Sequence, residues 1–63
     1  MRFVLEVDLD VGALAGNDRG AELGRILRYW GGATKDLPLA AGDRQDLYDS
    51  DYTKVGEWWI DSD

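Results

Sequence analysis

Residues 2 to 11 alternate between apolar and polar side chains. Phe3, Leu5, Val7, Leu9 and Val11 fall on one face, and Arg2, Val4, Glu6, Asp8 and Asp10 on the other. A period of two with one apolar face predicts a half-buried strand. Gly12 to Asp18 breaks the alternation, and Asn17 and Asp18 are suited to cap a helix with a short side-chain oxygen. Leu23, Ile26, Leu27 and Trp30 then recur at the spacing of one helical face. They predict an amphipathic helix of about three turns, ended by Gly31-Gly32 in the left-handed conformation open to glycine. Glu22 lies one turn before Arg25 and can pair with it. Residues 33 to 44 are irregular, with Leu37 and Leu39 around Pro38 pinning the connection to the core. Gln45 to Tyr48 reads as a short strand, Asp49-Ser50-Asp51-Tyr52 as turn chemistry, and Lys54 to Ile60 as an aromatic, β-branched return strand.

The order strand, helix, strand, strand implies an α+β fold: one domain over residues 1–63, a three-stranded sheet with one helix on one face. The favoured arrangement puts the last strand in the centre, antiparallel to both others. The alternative puts the second strand in the middle.

One helix covers one face of such a sheet. In the return strand Gly56, Trp58 and Ile60 share a face, and Val55, Glu57 and Trp59 share the other. Placing Gly56 under the helix, where a missing side chain permits close approach, sends Trp58 and Ile60 into the core with Phe3, Leu5 and Val7. The open face is then expected to hold Trp59, Tyr48, Val55 and Val4, with Tyr48 across from Val55. Its rim is Glu6, Asp8, Asp46 and Glu57. Aromatic residues inside a polar rim are the anatomy of a protein–protein hot spot.

Charge and composition narrow the chemistry. Thirteen acids against seven bases give a net charge of −6 over 63 residues. Such a balance disfavours nucleic acid and anionic membranes as partners. There is no histidine and no cysteine, which removes the usual general base, the usual transition-metal ligand and thiol chemistry. Ser50 and Ser62 have no activating partner in the pattern, and no phosphate-cradling glycine loop is present. No catalytic residue, metal site or cofactor is expected, and the chain reads as a non-enzyme. The acidic run Asp43, Asp46, Asp49, Asp51 matches only the start of a calcium loop. The sixth and twelfth positions, counted from Asp49, are Lys54 and Ile60 rather than glycine and a bidentate acid. Gly20 and Gly24, with Gly31 on the same flank, read as close packing of the helix on the sheet or as a glycine-rich composition. No apolar run reaches the roughly 20 residues of a membrane span. Glu6 and Asp8 interrupt the opening residues before a signal-peptide core could form. A cytoplasmic location is expected.

Three stretches carry a resemblance. Phe3-Val4-Leu5-Glu6-Val7-Asp8-Leu9, Gly20-Ala21-Glu22-Leu23-Gly24-Arg25-Ile26-Leu27 and Lys54-Val55-Gly56-Glu57-Trp58-Trp59-Ile60 resemble short acidic proteins of actinobacteria and their bacteriophages. In that class a polar residue is usual where Trp59 stands. The resemblance implies a phage or prophage accessory role and assigns no activity. Three readings follow: a binding module that engages a host protein through the open face, an acidic mimic of nucleic acid built on Glu6, Asp8 and Asp10, and a homodimer.

Overall fold

A computed structural model describes residues 1–62. Its elements are strand β1 (Arg2–Val7), a 3-10 turn (Gly12–Ala15), helix α1 (Arg19–Ala33), a second 3-10 turn (Thr34–Asp36), and strands β2 (Arg44–Tyr48) and β3 (Lys54–Asp61). The sheet order is β1-β3-β2, with β3 antiparallel to both neighbours. The return strand is central, and the fold is α+β.

β1 stops four residues short of its alternating pattern. The Asp8 N–H still donates to Val55 O at 2.7 Å, but Asp8 Oδ1 accepts the Asp10 N–H at 2.9 Å. This local bond turns the chain away from the ladder, as a short acidic side chain does when it competes for the backbone. Gly12, at φ 56°, then opens the 3-10 turn that buries Leu14 completely. Leu14 is the core residue that periodicity missed, because it stands alone between alanines.

α1 runs through Gly31 and Gly32 rather than stopping there. Neither glycine has positive φ, and the Thr34 N–H closes the last turn on Trp30 O. At the other end Asp18 sits at the cap position but makes no side-chain capping bond. The buried stripe centres on Ile26, with Leu23 and Trp30 half-buried. Leu27, one step round the helix, is exposed rather than in the core.

The core joins Leu14, Ile26, Leu47, Val55, Trp58 and Ile60. Trp58 is its centre. Phe3 stacks on it at 5.3 Å between ring centroids, and Trp30 meets it edge-on at 5.7 Å. Both geometries suit the ring quadrupoles.

Gly56 permits a close approach, but of β1 rather than of the helix. A Cβ there would overlap Glu6 O and lie 2.9 Å from Val7 Cα. The Gly20–Gly24 pair does not pack on the sheet. A Cβ at Gly20 would meet nothing within 4 Å, and one at Gly24 would meet only the Arg28 side chain.

Candidate functional site

The face of the sheet opposite α1 carries two transverse rows. Trp59, on the central strand, has Val4 beside it on β1 and Arg44 beside it on β2. Trp59 and Val4 are half-buried against their neighbours, and no helix among the described residues covers them. Two positions along, Glu57 lies between Glu6 and Asp46, so three carboxylates stand side by side on strands about 4.8 Å apart. Cations offset part of this row. Arg44 donates to Glu57 Oε2 at 2.7 Å and Lys54 Nζ lies 3.2 Å from Asp46 Oδ1; on the other side of the Trp59 row, Arg2 pairs with Asp61 at 2.9 Å. The Arg44 guanidinium is held above its ordinary pKa, chiefly by the Glu57 hydrogen bond. Glu6 and Asp8 are exposed, though Asp8 spends one oxygen on the Asp10 N–H.

The expected patch therefore changes in membership. Val55 is buried at 2% exposure and belongs to the core. The cause is a bulge: Leu47 pairs with Gly56 while Tyr48 pairs with Lys54, so Val55 is the extra residue. A bulge re-aims the side chain it displaces. Val55 Cγ1 reaches to within 3.3 Å of where a Gly12 Cβ would stand, under the first 3-10 turn. Tyr48 is exposed, but it lies four residues along β2 from Arg44, about 13 Å from the Trp59 row. Trp59 and Tyr48 do not form one patch. Nor do Glu6, Asp8 and Asp10 form a regular strand row, because β1 ends at Val7.

Tyr48 borders a second feature, a shallow groove between α1 and the β2 edge. Arg25, Tyr29, Trp30, Gln45, Tyr48 and Tyr52 are among its walls, and its volume is about 480 Å³. Tyr52 is 88% exposed and adopts φ 63°, a conformation in which a bulky side chain is uncommon. Arg25 closes this edge by donating to Tyr48 O at 3.2 Å and to Glu22 Oε2 at 2.9 Å.

The acidic run resolves into separate structural tasks. Asp49 is 3% exposed. It accepts the Ala13 N–H at 2.8 Å and the N–H groups of Asp51 and Thr53 at 2.9 Å each. Gly12 makes this possible, since a Cβ there would overlap Asp49 Oδ2. Asp43 accepts the Ala40 N–H at 2.9 Å. Glu22 accepts from Arg25 and from the Ser50 N–H at 2.8 Å. Among the described residues no group of three or more carboxylates is disposed to hold a metal ion.

Asp49 is held below its ordinary pKa of 3.8, first by the Ala13 N–H and then by the Thr53 N–H. Glu22 is held below 4.5, first by Arg25. For both groups the folded-state pKa is the lower one. The stability they contribute is complete above the unfolded value, near pH 4, and is lost as pH falls through the folded value. Urea denaturation between pH 7 and pH 2 is expected to show that loss. Asp49→Asn is expected to be less stable at pH 7 and to show a shallower acid dependence. Its amide either turns an N–H toward the Ala13 donor or loses the Thr53 and Asp51 bonds. An unchanged acid slope in this variant would remove Asp49 as the source.

No helix among the described residues is long and apolar enough to cross a membrane. Comparison with protein-family models, with curated proteins and with solved structures returned no match to this chain.

Proposed function

We propose that this chain is a non-enzymatic protein-binding module that presents the open face of its sheet to a host protein. What supports the reading is the position of Trp59. A large apolar side chain stands on the central strand, on the face no helix covers, between Val4 and Arg44. Tryptophan and arginine are the residue types most enriched at interface hot spots, and a desolvated centre with a charged rim is where they act. Trp59 and Val4 form the apolar centre. Arg44, Glu6, Glu57 and Asp46 form the rim. Tyr48 contributes at the periphery, by way of the groove at the β2 edge. The phage accessory role rests on the resemblance alone, and the cytoplasmic setting on the interruption of the opening apolar residues by Glu6 and Asp8.

The test is capture from an actinobacterial lysate with three versions of the chain. Wild type and Leu27→Ala, a change at an exposed helix position outside the groove, are expected to retain one specific protein, and Trp59→Ala to lose it while keeping the wild-type circular dichroism spectrum. Retention by Trp59→Ala would overturn the reading. If binding instead disappears on charge reversal at Glu6 and Asp8 and falls steeply with salt, the face acts as an acidic mimic.

A further inference from the structure

The two edges of the sheet are not alike. β2 is guarded along its outer side. Its last carbonyl is taken by Arg25, the bulge at Val55 of β3 breaks the regular ladder beneath Leu47 and Tyr48, and Gln45 puts a polar side chain beside the helix. These are the devices by which natural sheets prevent edge-to-edge pairing. β1 carries charge only at Arg2 and Glu6, whose signs are opposite and therefore do not repel a second copy. It contains no proline, glycine or bulge, and its core-facing residues Phe3, Leu5 and Val7 are all apolar. The Asp8 N–H bonds β3, so by alternation Phe3, Leu5 and Val7 turn their own N–H and C=O groups to the outer edge. Among the described residues no other element pairs with that edge. Phe3 is 44% exposed beside it, although one face of its ring is stacked on Trp58.

The sequence of β1 is complementary to itself. Read against its own reverse about Val4, Arg-Phe-Val-Leu-Glu places Arg2 opposite Glu6, Phe3 opposite Leu5 and Val4 opposite Val4. We infer that β1 is a homodimerisation edge: two copies join antiparallel through this register, giving a continuous six-stranded sheet with both helices on one face. The register satisfies the backbone and the side chains together. The pairs Phe3 with Leu5 of the second copy bring edge-facing groups to edge-facing groups, so both exchange N–H···O=C bonds. Shifting by two residues also keeps the backbone in phase, but it sets Val4 against Glu6. Cross-strand partners of opposite charge and matched apolar type are the favourable ones. The two-fold axis passes between the Val4 side chains, and on the open face the order becomes Trp59, Val4, Val4, Trp59.

This inference stands on the strand edge and does not depend on a host partner. A single strand seam is a small interface, below the roughly 1,200 Å² of stable complexes, so association is read at about 0.1 to 1 mM protein. Sedimentation equilibrium is expected to show a mass rising toward twice the 7.0 kDa of one chain. Val4→Lys, which sets two ammonium groups against each other on the axis, is expected to return the mass to that of one chain with an unchanged circular dichroism spectrum. The register has its own test. E6R sets arginine against arginine and R2E sets glutamate against glutamate, so each alone is expected to be monomeric. Mixed in equal amounts they place opposite charges together at both ends of the seam, and the double mass is expected to return. A wild-type chain that stays monomeric at 1 mM overturns the inference. So does a dimer that survives Val4→Lys. A wild-type dimer with no recovery in the mixture overturns this register.

Discussion

Replacing Trp58 by alanine is expected to leave the chain largely unfolded at room temperature. Trp58 is 2% exposed, lies between Phe3 and Trp30, and pairs across the ladder with Leu5 on one side and Gln45 on the other. Truncating a buried tryptophan costs about 3–5 kcal/mol through lost transfer energy and the cavity left behind. A domain of this size has a total stability of about 3–9 kcal/mol at the usual 0.05–0.15 kcal/mol per residue. The change therefore removes most of what holds the fold. Urea denaturation followed by circular dichroism measures it, and a midpoint close to wild type would show that Trp58 is not the centre of the core. Trp58→Phe separates shape from polarity. The indole Nε1 is buried without a partner among the described residues, so its removal breaks no hydrogen bond. The phenylalanine variant is expected to lose less than half as much.

Gly56→Ala is the second large effect, and it acts through the backbone. The added methyl group would overlap Glu6 O and stand 2.9 Å from Val7 Cα and 3.0 Å from Glu6 C. None of these atoms is the free end of a flexible side chain. Relief requires β1 to separate from β3, which breaks ladder bonds and uncovers the β1 side of Trp58. Overpacking a well-filled site costs about 1–3 kcal/mol where side chains can shift, and the cost here is expected at or above the top of that range. Hydrogen exchange gives the specific signature: β1 amides that bond β3 lose protection before those of the β2–β3 hairpin. Gly31→Ala is the control, because a Cβ there meets nothing within 4 Å and the helix gains from the exchange. Equal losses in the two variants would mean that glycine acts only through helix propensity or chain entropy.

The same two positions separate what the residue pattern carries from what it does not. Trp58 was legible as core because the period of two in Lys54 to Ile60 sets it with Ile60 on the face shared with Phe3, Leu5 and Val7, and it pairs with Leu5 as that pattern implies. The same parity puts Trp59 on the open face. Gly56 was legible as a close approach but not as an approach by β1, since a glycine shows that room is needed without naming the neighbour that needs it. Parity alone also puts Val55 on the open face, but the bulge opposite Leu47 and Tyr48 shifts the register by one, and one residue of slip exchanges the faces. Tyr48 was then separated from Trp59 by the length of β2.

What the residues determine alone is local. Side-chain alternation selects the strands, the 3.6-residue recurrence selects the helix, and the lack of histidine and cysteine bounds the chemistry. These follow from periodicity and atom type, which need no knowledge of distant neighbours. The tertiary structure decided the rest. It set Asp49 as the buried acceptor that ties the Gly12–Ala15 turn to the hairpin, it carried the helix past Gly32, and it left β1 as the unguarded edge. Each depends on groups far apart in the chain: Ala13 and Asp49 are 36 residues apart, and an edge exists only once the strand order is known. A pattern that repeats every two or four residues cannot carry that information.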